Sequence, residues 1–231
     1  MAYEILKPEW GAQRPIRGVL FDMDGLVLDT EKLYTRFWTE ACLFFGFHMT
    51  REQALRMRAA NSRLSEQNLH EFFGPSADYR AIRAKRIELM EAHIAAHGVE
   101  PKPGIHELLD WLQAHGIATA ITSSSPTDRI QNHLTPLGLY HRFDQICSGY
   151  DVPWGKPAPD IYLKGAAVLG LEPGECLALE DAPTGILSAY RAGCLTVMIP
   201  DQDQPTEDLL PLLYARADSL TDVIPILSRN P

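Results

Sequence analysis

The sequence predicts an α/β fold: a doubly wound, mainly parallel sheet with an α-helical segment inserted after its first buried strand. Three observations lead there. Short apolar runs of strand length alternate with helical patterns along most of the chain. The alternation breaks once, between Thr30 and His97, where successive segments all read as helices. The apolar runs end in acids, hydroxyls or a lysine-bearing loop, and ligands of such sheets bind outside the carboxyl ends of the strands.

Taken in order, Gly18 to Phe21 is the first strand, a short apolar run after which Gly25 to Val27 lets the chain turn sharply. The stretch EKLYTRFWTEACLFFGF then repeats Leu33, Phe37, Trp38, Ala41, Phe44 and Phe45 at helical spacing, which makes them the expected core of the insertion. Asp29 or Thr30 is its expected N-cap. REQALRMRAA, SEQNLHEFF and DYRAIRAKRIELMEAHIAAHG continue as helices, the last mixing apolar and basic faces at Ile82, Lys85, Arg86, Leu89, Met90 and His93. Gly25 to Asp29 and the Gly98 to Gly104 segment, rich in proline and glycine, are the linkers. The expected domains are therefore 1–29 with 98–231 as a sheet core and 30–97 as the helical insertion. Further strands are expected at Ile117 to Thr122, Gln145 to Cys147, Cys176 to Leu179 and Leu195 to Ile199. Helices are expected at Pro126 to Leu137, Pro159 to Leu169 and Thr184 to Ala192. Ser125 before Pro126, and Asp181 ahead of Pro183, read as helix starts.

With 231 residues, 45% of them hydrophobic and 22% charged, the chain can bury a sizeable core and is neither disordered nor fibrous. A net charge of −9 and the absence of a basic block exclude nucleic acid and anionic membrane surfaces as partners. No apolar run is long enough to cross a bilayer, and the first residues lack the apolar stretch of a signal peptide. Cys42, Cys147, Cys176 and Cys194 are scattered without a C-x-x-C pair, which suits reduced core thiols and a cytoplasmic protein.

The strand ends carry the chemistry. Phe21 is followed by Asp22 and Asp24, Ile121 by the hydroxyl cluster Thr122-Ser123-Ser124-Ser125, and Leu179 by Glu180-Asp181; a loop after Cys147 carries Lys156. Parallel strands would bring these groups to one edge. Unpaired buried carboxylates are costly, so these acids are either exposed or paired with something cationic. Acids, hydroxyls and one lysine suit a hard divalent cation bridging to a phosphate.

On these residues the chain resembles the haloacid dehalogenase superfamily, in its subgroup with a small helical cap after the first strand. Asp22-Met23-Asp24-Gly25 matches the D-x-D-G motif, Ser123 the second-strand hydroxyl, Lys156 the lysine of G-K-P-x-P-D, and Glu180-Asp181-Ala182-Pro183-Thr184-Gly185 the E-D-x-x-x-G motif, in the family's order. The resemblance covers Ile16 to Ile226 and implies a Rossmann-like core with an α-helical cap. It implies a Mg²⁺-dependent phosphatase hydrolysing a small phosphorylated metabolite, a sugar phosphate above all, through an aspartyl-phosphate. Asp22 would be the nucleophile and Asp24 the acid and base. Ser123, Ser124 and Lys156 would hold the phosphoryl group, and the cation would rest on Asp22, Asp24 (through its backbone carbonyl) and Asp181, with Glu180 in support. Tyr34, Asn61 and Arg63 are the cap residues expected to read the substrate, with Arg58 nearby. The alternative is a β-phosphoglucomutase, in which Arg63 would face a second phosphate. Asp24 argues against dehalogenase and phosphonatase chemistry, which lack an aspartate there. A monomer or weak homo-oligomer is expected.

Other patterns are discounted. GYDVPWGK has one residue too many between its glycines, and Pro157 stands where a phosphate-binding loop needs Ser or Thr. DMDGLV lacks the sixth-position glycine of a calcium loop. His93 and His97 have no H-E-x-x-H pattern and read as solvated or capping histidines.

Overall fold

The computed structural model describes residues 2–11, 15–58, 62–201 and 204–229; the side chains of Arg58, Ser62 and Arg63 lie outside that description. The chain begins with a short strand β1 (Tyr3–Ile5) and a single-turn helix α1 (Pro8–Gly11), then enters β2 (Gly18–Phe21), in which every residue is buried. Four helices follow: α2 (Glu31–Phe44), α3 (Arg51–Arg58), α4 (Ser62–Phe73) and α5 (Tyr79–His97). Then come α6 (Ile105–Ala114), β3 (Ala118–Ser123), α7 (Thr127–Leu134), β4 (Gln145–Ser148), α8 (Asp160–Val168), β5 (Cys176–Glu180), α9 (Pro183–Ala192), β6 (Leu195–Met198), β7 (Ala215–Ala217) and α10 (Val223–Leu227).

The strands form one seven-stranded sheet in the order β1-β7-β6-β5-β2-β3-β4. All neighbouring pairs are parallel except β1 with β7 at the edge. The chain runs from β2 through β3 to β4 on one side and returns to β5 on the other, so the order reverses between β2 and β5. Phe21 stands opposite Ile121 on one side and Leu179 on the other. Each strand therefore delivers its next residues to the same edge.

Helices α8 and α9 cover one face of the sheet. Ile161, Tyr162 and Ala166 of α8 and Ala189 and Ala192 of α9 pack with Leu20, Ala120, Cys147 and Ala178 from the strands. Burying each large aliphatic side chain contributes about 1.5–3 kcal/mol, which holds helix and sheet edge in register. On the helical unit, Trp38, Ala41, Met49, Ala54, Met57, Leu69, Tyr79 and Ile82 make a separate core. Contacts divide the chain accordingly, into Met1–Leu28 with Pro101–Pro231 and, separately, Asp29–Glu100.

Several expectations need correction. Helix α6 was not expected; its apolar stripe of Ile105, Leu108, Leu109 and Leu112 is buried. Phe44 and Phe45 are not core: they are 66% and 40% exposed at the end of α2, where the ammonium of Lys85 from α5 stands 4.5 Å from the Phe44 ring centroid. Thr30 occupies the N-cap position of α2, but its side chain makes no capping bond; Asp29 instead pairs with Lys32 at 2.7 Å. Helix α7 starts one residue late, with Pro126 at its N-cap position, and Ser125 is turned to another task described below. His93 lies half-buried with its ring 5.3 Å from that of Phe37, while His97 is exposed.

Candidate active site

Asp22 follows β2 directly, and its backbone N–H still donates to Leu179 O at 3.1 Å, so β5 pins the first acid in place. The chain then turns back: Leu28 N–H donates to Met23 O at 2.9 Å and Gly25 N–H to Leu28 O at 2.9 Å. Gly25 takes φ of 88°, a left-handed conformation that a side chain would oppose. This turn sets Asp24 half-buried beside the end of β3, where Ser125 Oγ donates to its Oδ2 at 3.3 Å.

Ser123, the last residue of β3, is buried, and its Oγ accepts from Ser125 N–H at 3.1 Å, which fixes the hydroxyl loop. Ser124 between them is exposed. Gly149 lets the loop after β4 come close: a Cβ there would lie 3.0 Å from Ser124 Cα. That loop also carries Lys156, whose peptide bond to Pro157 is cis.

Lys156 joins the two sides of the site. Its Nζ donates to Asp22 Oδ1 at 2.5 Å and to Glu180 Oε1 at 2.6 Å, and all three side chains are largely buried. Glu180 ends β5, and the hydroxyl of Tyr162 from α8 also donates to its Oε1. Asp22, Glu180 and Asp181 offer carboxylate oxygens within 4.8 Å of one another, and all three residues are buried. Glu180 has room only because residue 185 is glycine: a Cβ there would lie 2.0 Å from its carboxylate.

Burial pushes the Asp22 carboxyl up to about 8; the charge of Lys156 opposes that rise, while Glu180 and Asp24 add to it. Burial alone would lower the Lys156 ammonium, but Asp22 and Glu180 overcome it and hold the pKa well above the ordinary lysine value. Burial, followed by the Glu180 charge, holds the Tyr162 phenol well above its usual range. Three buried carboxyls beside the one ammonium of Lys156 carry an excess of negative charge, and their hard oxygens are the donor type that Mg²⁺ prefers. The residues present fit that cation.

Residues 19–199 match the model of the haloacid dehalogenase-like hydrolases. The chain belongs to the haloacid dehalogenase-like hydrolase family. Hexitol phosphatase A of Escherichia coli (strain K12) is 33% identical over 185 residues, covering 79% of this chain and 82% of that protein. Fructose-1-phosphate phosphatase YqaB of the same strain is 30% identical over 177 residues, covering 76% of this chain and 92% of that protein. A family hydrolase from Deinococcus radiodurans R1, solved with bound phosphate and sodium, is 25% identical with a TM-score of 0.75, covering 94% of this chain and 97% of that one.

In this haloacid dehalogenase-like enzyme the fold brings together Asp22, Asp24, Ser123, Ser124, Lys156, Glu180 and Asp181 at the edge where β2, β3 and β5 end. The cap residues stand differently. Tyr34 lies on α2, with the guanidinium of Arg86 4.7 Å from its ring centroid. Asn61 lies outside the described residues, as does the side chain of Arg63. Sequence reasoning missed Tyr162 and gave Ser125, beyond its place in the hydroxyl cluster, no role but that of a helix cap. The available signal for Tyr162 was its place on the buried stripe of α8, since a fully buried phenol requires a hydrogen-bond partner. For Ser125 it was membership of the hydroxyl cluster.

Proposed function

We propose that this enzyme is a Mg²⁺-dependent phosphatase that hydrolyses a small phosphorylated metabolite, a sugar phosphate, through an aspartyl-phosphate. The observation that carries this reading is the Asp22–Lys156–Glu180 chain beside the Asp24–Ser125 pair: a carboxylate against an ammonium, with a second carboxyl held two residues away. The names of the related hexitol and fructose-1-phosphate phosphatases support the sugar phosphate.

An Asp22 Oδ attacks phosphorus, and the bond from phosphorus to the substrate's ester oxygen breaks. Asp24 gives its proton to that leaving oxygen, then takes one from the water that attacks the aspartyl-phosphate, a pair of transfers typically contributing about 10²–10⁴ in rate. Ser125 orients Asp24 for both steps through its hydroxyl. Lys156 faces the charge that develops on the phosphoryl oxygens, and the hydroxyls of Ser123 and Ser124 hold those oxygens. The side chains of Asp22 and Asp181 and the backbone carbonyl of Asp24 would hold Mg²⁺, which when bound keeps Asp22 ionised and neutralises phosphoryl charge.

Tyr34, Asn61 and Arg63 remain the proposed readers of the leaving group. No observation favours isomerisation over hydrolysis. The cytoplasmic setting is part of the proposal, supported by four buried cysteines that are free. The test is phosphate release across a panel of sugar phosphates, nucleotides and phosphorylated acids, with and without Mg²⁺, beside a coupled assay for glucose 1-phosphate isomerisation. Release from sugar phosphates that disappears in Asp22→Asn, with the circular dichroism spectrum unchanged, is expected. Substantial activity in that variant would remove the nucleophile assignment, and isomerisation faster than release would replace the phosphatase by the mutase.

A further inference from the structure

Glu180, in the buried cluster, has two demands on it. It lies close enough to Asp22 and Asp181 to share a cation with them, yet its Oε1 accepts hydrogen bonds from both Lys156 Nζ, at 2.6 Å, and the Tyr162 hydroxyl. A carboxylate oxygen has two lone pairs in its plane, so these donors saturate Oε1. The carboxylate is also seated in the space left by Gly185, where a Cβ would come within 2.0 Å of Oε1 and 2.1 Å of Oε2. Tyr162 is held as firmly: it is fully buried on α8, and the Lys156 ammonium stands 5.1 Å from its ring centroid.

We propose that Tyr162 is a positioning residue whose hydroxyl keeps Oε1 of Glu180 committed to Lys156 and off the cation, which Asp22 and Asp181 bind with at most Oε2 of Glu180 beside them. This rests on the phosphatase reading and deepens it, because it divides the carboxylate oxygens between two tasks. Without the hydroxyl, one lone pair of Oε1 is released within reach of the cation position. Oε1 then joins Asp22 and Asp181, Lys156 loses half of its anchoring, and turnover suffers while the cation is held more tightly.

Tyr162→Phe tests it, since the ring stays beneath the ammonium and only the hydroxyl goes. Phosphate release from p-nitrophenyl phosphate gives kcat and KM, and isothermal titration gives Mg²⁺ affinity without turnover. The expected result is a kcat about tenfold lower, KM within threefold, and Mg²⁺ binding at least threefold tighter. A kcat within twofold of the parent overturns the proposal, and so does a lower kcat with weaker Mg²⁺ binding, which is the pattern of simple structural damage. If the single variant does not fold, Glu180→Ala is compared with Tyr162→Phe/Glu180→Ala. Equal Mg²⁺ affinities support action through Glu180, and a further shift of threefold or more overturns it. A parent protein that releases no phosphate from any substrate refutes the phosphatase reading itself, whereas an active parent matched by Tyr162→Phe refutes only this inference.

Discussion

Single residues decide how this edge of the sheet tolerates its charge. Burial pushes Asp22 from its ordinary 3.8 up to about 8, so in the folded, cation-free protein it keeps a proton across the window between those values. Cation binding needs the ionised form and must expel that proton. Mg²⁺ affinity should therefore rise with pH up to about 8 and level off above it. Calorimetry in buffers of different ionisation enthalpy should find close to one proton released per Mg²⁺ at pH 6.5, and no release would show that Asp22 is already ionised there. Gly185 is the complementary case, a position defined by what cannot stand there. With a Cβ only 2.0 Å from the Glu180 carboxylate, Gly185→Ala must displace that carboxylate or shift α9. Overpacking of this kind typically costs about 1–3 kcal/mol. Urea unfolding should show that loss, and phosphate release should fall at least tenfold; parent-like values for both would mean that Glu180 relocates without consequence.

At the scale of elements, each strand works as a rail that ends in a functional group. β2 ends before Asp22, β3 in Ser123 and β5 in Glu180, and the register of Phe21 with Ile121 and Leu179 makes the three ends coincide. Helices α8 and α9 then clamp the rails from one face and supply Tyr162 and Gly185. In the helical unit the longest helix, α5, owes its start to Asp78, whose Oδ1 accepts from Arg80 N–H at 2.9 Å and Ala81 N–H at 3.1 Å. Removing such a cap typically costs about 1 kcal/mol. Asp78→Ala should lower stability by that order in chemical denaturation, with Asp78→Asn recovering most of it, because the amide oxygen also accepts. Equal losses in both variants would assign the effect to charge rather than capping.

The whole molecule keeps its reactive sulfur inside. Cys42, Cys147, Cys176 and Cys194 are all buried and free. Burial pushes the Cys42 and Cys176 thiols up to about 12 and raises Cys147 and Cys194 as well, so the nucleophilic thiolate is scarce at neutral pH. A disulfide reagent should label the native protein only as fast as it opens, and label four thiols after denaturation. Rapid native labelling of any of them would contradict this packing. Among the described residues no helix is long and apolar enough to cross a membrane.

The strands that end in chemistry could be located from the chain alone, because a fully buried strand in a parallel sheet is a short apolar run and its end is marked by an abrupt change to acid or hydroxyl. Strands β1 and β7, each three residues long, escaped for the opposite reason, being too short to carry a period. Helix α6 carries a clear apolar stripe in the short stretch between a linker and a strand, so its signal is present in the chain. The chemical character of Asp22 and Asp24 was local too, since they are separated by a single residue and both follow β2. Only the tertiary structure decided their partners. Lys156 stands 134 positions from Asp22, and Ser125 stands 101 from Asp24; Tyr162 meets Glu180 across 18. Sequence carries the character of each group and its nearest surroundings. Which buried oxygen shares which proton depends on strand order, register and helix packing, which join residues that the chain itself keeps far apart.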